Sequence, residues 1–73
     1  MIRMIPIEKA KEQVEDQLML IEGVEGVGIG LEGKTPVIQV YVSRMDRTIR
    51  EKVPHEVEGH PVKIEIGGKF RAL

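Results

Sequence analysis

The sequence predicts an α+β domain. It reads as a two-layer sandwich with one long and one short helix on one face of an antiparallel-rich sheet of three to five strands. Three observations predict it. Apolar residues recur at steps of three and four near the N-terminus, alternate at steps of two in later segments, and are separated by short connections carrying Gly or Pro. At 73 residues the chain makes one domain, 1–73, around one small core.

Residues 1–5, MIRMI, are mostly apolar and read as an edge strand or a packed N-terminal arm. Pro6 suits a helix start, where its missing N–H costs nothing. Ile7, Ala10, Val14, Leu18 and Ile21 then share one face, with Glu8, Lys9, Lys11, Glu12, Glu15 and Asp16 around the other side, which predicts a helix over 7–22 closed by Gly23 as C-cap.

GVEGVGIG at 23–30 holds four of the eight glycines. With period two, Val27, Ile29 and Leu31 point one way and Gly26, Gly28 and Gly30 the other. TPVIQVYVS is a strand by its β-branched content, with Ile38, Val40 and Val42 opposite Val37, Gln39 and Tyr41. Glu32-Gly33-Lys34 between them predicts a hairpin.

Ser43-Arg-Met-Asp46 reads as a capping box with Ser43 as cap, opening a short helix over 44–52 on Met45, Ile49 and Val53 that Pro54 stops. His60 to Ile66 alternates again, with Val62, Ile64 and Ile66 inward. Gly67-Gly68 reads as a turn, and 69–73 as a last short strand with Phe70 inward. Should residues 1–5 pair into the sheet, the order is ferredoxin-like. Without them it is a helix on a three- or four-stranded meander.

Composition narrows the function. Apolar residues are 41% and charged residues 32%, which fits a soluble globular chain. A net charge of −1 gives no field toward nucleic acid or anionic membrane. No apolar run approaches the roughly 20 residues that span a bilayer, and the N-terminal sequence has no secretory pattern, so a cytoplasmic protein is expected. There are no cysteines, hence no disulfide, thiolate nucleophile or cysteine-ligated metal. One Tyr and one Phe are too few aromatics for a base-stacking platform. The absence of Asn beside abundant Glu, Lys, Arg, Val and Ile is a mix seen in thermophile proteins. So small a core favours a homo-oligomer.

Gly28-Ile-Gly-Leu-Glu-Gly33-Lys34-Thr35 matches the phosphate-loop pattern letter for letter, but Pro36 and a strand follow where that motif needs a helix N-terminus. A hairpin turn explains it better, and no cofactor is expected. His55-Glu56-Val57-Glu58-Gly59-His60 resembles a zinc motif, yet its histidines are five apart with Pro on both sides, so the H-E-x-x-H helix cannot form. A loop gathering His55, His60 and Glu58 round an ion, or metal hydrolysis through His55, Glu56 and His60, stays as a lesser alternative to an exposed loop. Arg44, Arg47 and Arg50 fall on one helix face with Lys52 near. This row is a candidate site for an anion or nucleic-acid phosphate, although interleaved Asp46 and Glu51 favour a plain solvated face. Ser43 is the only serine and is used as a cap, so no nucleophile stands beside a base, and no enzyme activity is expected. The candidate partner-binding surface is the flat glycine-bearing face, Gly26, Gly28 and Gly30 with Val37, Gln39 and Tyr41, facing a second copy or another protein. The alternative is that Tyr41 lies over the glycines and the face is wet.

Three stretches carry a resemblance: Val24-Glu25-Gly26-Val27-Gly28-Ile29-Gly30, Val37-Ile38-Gln39-Val40-Tyr41-Val42, and Val53-Pro54-His55-Glu56-Val57-Glu58-Gly59-His60-Pro61-Val62. Across about residues 20–66 they resemble the segment N-terminal to the protease domain in certain bacterial trypsin-like peptidases, whose pattern runs V-x-G-V-G-I-G, I-x-V-Y-V, L-P-x-x-I-x-G-x-P-V. The resemblance implies a stand-alone form of that segment and a connection, not a zinc site, at HEVEGH. It carries no catalytic residue over.

Overall fold

The computed structural model describes residues 5–67, and the following concerns those residues. The order is α1 (Ile7–Met19), β1 (Val24–Glu32), β2 (Thr35–Val42), α2 (Arg47–Lys52), β3 (Glu56–Val57) and β4 (His60–Ile66). The four strands form one mixed sheet in the order β1-β2-β4-β3. β1 pairs antiparallel with β2, β2 parallel with β4, and β3 antiparallel with β4. The small α+β architecture is therefore as the sequence predicts. The ferredoxin-like order is not formed, because β4 runs parallel beside β2, the place the first strand would take. Of the predicted strand at 1–5, residues 1–4 lie outside the described part. Ile5 is half-buried, non-strand chain packed on the core. The predicted turn at Gly67-Gly68 and strand at 69–73 also lie outside it, apart from Gly67, whose N–H donates to the Val42 carbonyl at 2.6 Å.

α1 begins at Pro6, whose extended backbone (φ −61°, ψ 151°) leads into the helix and whose carbonyl accepts from the Ala10 N–H at 3.0 Å. It ends three residues short of the predicted 22. Leu20 N–H turns back to Gln17 O at 3.2 Å and Ile21 N–H to Leu18 O at 3.0 Å, the tightened pattern of a closing helix. Leu20 is thereby left outside, while Ile21 still reaches the core. Gly23 is not the helix C-cap. It sits in the following turn at φ 99°, where an added Cβ would lie 3.2 Å from Ile49 Cδ1. The left-handed φ favours glycine there, and an added Cβ would also need the Ile49 side chain to shift slightly. The Gly23 carbonyl accepts from Ser43 N–H at 2.8 Å and ties the start of β1 to the end of β2.

α2 is also shorter than predicted and differently capped. Asp46, in extended conformation (φ −143°), accepts from Ile49 N–H at 2.9 Å, so Asp46 is the N-cap and the helix starts at Arg47. Ser43 has gone to the β2 end instead. The Asp46 carboxylate, three residues before Ile49, satisfies that orphan N–H directly, which Ser43, six residues before it, is too far back to do.

The core is wholly aliphatic. Leu18, Val24, Val40, Val42, Ile49 and Val53 form one cluster, and Ala10, Ile38 and Val57 another, with Val14, Val27 and Val62 packed on both. Both helices thus cover the sheet face that carries Ile38, Val40 and Val42. Ile66, predicted inward, is 54% exposed, at the last rung of β4 where it pairs with Val42.

Candidate functional site

The face away from the helices carries the glycine row. In register, Gly26 lies beside Tyr41, Gly28 beside Gln39 and Gly30 beside Val37. Glycine removes the side chains of β1 there, and β2 fills the space. An added Cβ on Gly26 or Gly28 would meet the Tyr41 ring at 3.8 or 3.6 Å, and one on Gly30 would fall inside the Gln39 amide. The Tyr41 ring lies over the first two glycines and the Gln39 side chain over the third, so this face is furnished rather than bare.

A polar lattice crosses it. Tyr41 O–H donates to Gln39 Oε1 at 3.3 Å, and Gln39 Nε2 donates to Glu65 of β4. Lys63 of β4 reaches Glu32 of β1 at 2.8 Å, bridging over β2. The Glu32 carboxylate holds the Lys63 ammonium above its ordinary pKa through their hydrogen bond and charge. A raised lysine pKa means the pair is intact at neutral pH and its contribution goes only as pH rises through the folded-state value. Both partners are exposed, so the effect on stability is small. Val37, on this same face, is 1% exposed.

The other candidate residues do not converge on one site. Arg44 lies before α2, with Nε 3.5 Å from Asp46 Oδ2, while Arg47 and Arg50 project from the helix into solvent. The three-arginine helix face reduces to two, because the helix begins at Arg47. The phosphate-loop lookalike is the β1–β2 hairpin, with Gly33 at φ 63° supplying the left-handed residue of its two-residue turn. HEVEGH is neither helix nor irregular loop. Val57 pairs with His60 across Glu58 (φ 51°) and Gly59 (φ 82°), and positive φ at both central residues defines a type I′ hairpin turn. His60 Nε2 lies 2.7 Å from the Ile5 carbonyl, and the His55 carbonyl accepts from Val62 N–H at 2.9 Å. Among the described residues, no three of His, Asp and Glu are gathered closely enough to hold a metal ion, and no helix is long and apolar enough to cross a membrane.

One feature escapes sequence reasoning. β1 is the outer strand of the sheet, and its outer edge has no partner among the described residues. On its helix-side face Ile29 is 43% and Leu31 72% exposed, although each continues the row of buried Val24 and half-buried Val27. Period two puts Val27, Ile29 and Leu31 on one face, and the bulge between Val24 and Gly26 brings Val24 to it as well. Only the sheet order and the short α1 show that the far end of the row is left uncovered.

No family model matches the chain, and neither the curated proteins nor the solved structures give a match to it.

Proposed function

We propose that this chain is a small, non-enzymatic, cytoplasmic interaction or accessory module that works by associating with itself. The observation that carries the reading is the edge of β1: an outer strand nine residues long, carrying two exposed aliphatic side chains at its far end. Native proteins guard such edges with Lys, Pro, bulges or very short strands. β1 has no Lys and no Pro, its bulge lies at its start between Val24 and Gly26, and its acidic residues, Glu25 and Glu32, stand near its two ends. The small aliphatic core points the same way, since a domain of this size gains proportionally from a partner. The resemblance to the segment ahead of a peptidase domain also suits an accessory role. For the glycine face the polar lattice of Tyr41, Gln39 and Glu65 favours a wet surface over sheet-on-sheet packing. Anion binding through Arg47 and Arg50 has only their exposure behind it, Arg44 being engaged by Asp46. Metal binding through His55 and His60 has no third ligand among the described residues.

The test is native mass spectrometry on untagged protein over a concentration series. A dimer or larger species without added mass is the expected result. A monomer throughout, or a monomer carrying zinc, overturns the proposal.

A further inference from the structure

We infer that two copies pair antiparallel through their β1 edges, about a two-fold axis at Ile29, to make one continuous eight-stranded sheet. The inference rests on the self-association proposed above and names its surface and register.

The register follows from β1 itself. A bulge between Val24 and Gly26 breaks the regular ladder, which leaves Gly26–Glu32 as the straight part of the strand. The centre of that run is Ile29. A two-fold there uses the whole regular run and avoids the bulge. A bulged residue would leave the new ladder locally unpaired.

The side chains agree with that register. Directly opposite residues are Ile29 with Ile29 of the second copy, Val27 with Leu31, Gly28 with Gly30, and Gly26 with Glu32. Faces are kept, because in each pair the two residues lie on the same side of the pleat. On the helix side, aliphatic meets aliphatic. The most exposed of them, Leu31, comes beside Val27 of the second copy, which lies under that copy's α1 among Val14 and the core clusters. On the other side glycine meets glycine. Each Glu32 falls opposite a residue with no side chain, so no carboxylate meets another across the seam. Moving the axis to Gly28 sets Leu31 against Glu25 at the bulge. Moving it to Gly30 shortens the paired run to 28–32. The interface is isologous and closes at two copies, since pairing consumes the one long edge left open among the described strands of each. The opposite margin of the sheet ends in β3, only two residues long.

The chain has no cysteine, so a single introduced thiol reports the axis directly. Opposite Cα atoms in an antiparallel pair are about 4.5 or 5.5 Å apart, and both separations lie within the span of roughly 4.4–6.8 Å that a disulfide bridges. Ile29→Cys under mild oxidation should give a covalent dimer on non-reducing gels and by intact mass. Thr48→Cys, on the exposed side of α2, should not. Leu31→Lys, at a side chain already mostly in water, should fold normally and raise the dimer dissociation constant by about tenfold or more, as both copies lose their apolar contact. Wild-type dimers with no cross-link at Ile29→Cys and no weakening by Leu31→Lys overturn the β1 seam and leave self-association standing. A wild-type monomer at the highest soluble concentration overturns both. Should Ile29→Cys fail to fold, judged by circular dichroism, the Leu31→Lys comparison decides alone.

Discussion

Glycine takes three physical roles within eleven residues, and each makes a different demand. Gly23 and Gly33 are needed for backbone conformation, at φ 99° and 63°. Gly26 and Gly28 lie in ordinary strand and leave room for an aromatic ring. Gly30 leaves room for an amide that is itself hydrogen-bonded. Substitutions should separate these roles. Gly28→Ala places a methyl at ordinary contact distance, 3.6 Å, from the Tyr41 ring. Because it restricts the unfolded chain without native strain, stability should stay level or rise by about 0.4–1 kcal/mol. Gly30→Ala must expel the Gln39 amide from its place, breaking its bonds with Tyr41 and Glu65. A loss of about 1 kcal/mol is expected. Denaturant melts of the two variants side by side check this, and equal behaviour would contradict the packing of Tyr41 and Gln39 over the row.

Two elements owe their ends to single residues. α2 has only six residues, so its N-cap is a large share of what holds it. Asp46→Ala should cost about 1 kcal/mol, whereas Ser43→Ala, whose hydroxyl lies 3.5 Å from the Gly23 carbonyl, should change stability by less than about 0.5 kcal/mol. Chemical denaturation of both variants tells Asp46 from Ser43 as the cap. The β3–β4 hairpin turns on Glu58 at φ 51°, which a side chain with a Cβ adopts at some cost. Asn-Gly is the preferred pair for a type I′ turn. Glu58→Asn should therefore stabilise the domain by up to about 1 kcal/mol, seen as a higher melting temperature. A fall would mean that the Glu58 carboxylate makes a contribution its turn geometry does not show.

At the scale of the whole molecule, the proposed self-association couples to stability. A domain of this length has a net stability of only several kcal/mol, and a second copy that binds only the folded chain adds to it by mass action. The melting temperature should rise with protein concentration for the wild type, and Leu31→Lys should need about tenfold more protein or greater to show the same rise. Calorimetry over a wide dilution range checks this. A flat wild-type response speaks against dimerisation in that range.

Much of this molecule is written locally. The apolar spacing of Ile7, Ala10, Val14 and Leu18 suffices for α1, and the alternation through Val37–Val42 suffices for β2, since each depends on one periodicity and on residues near in sequence. The Gly33 turn is local too, and so is the exclusion of cysteine chemistry. Helix ends were less legible: α1 stops at Met19 because the chain must turn onto the sheet at Gly23, and α2 starts at Arg47 because Asp46 reaches the free N–H groups before Ser43 can. HEVEGH reads locally as an exposed loop, and the I′ turn is visible only once Val57 and His60 are paired. The row Arg44, Arg47 and Arg50 assumed a helix begun too early. The sequence by itself determined an α+β domain and a glycine row on one sheet face, because periodicity acts within a few residues. Tertiary structure decided that β4 lies parallel beside β2, that Tyr41 and Gln39 cover the glycines, and that β1 is the outer of the described strands, with Ile29 and Leu31 left exposed. Strand order brings together residues far apart in the chain, and no local pattern encodes which strand is left at the edge.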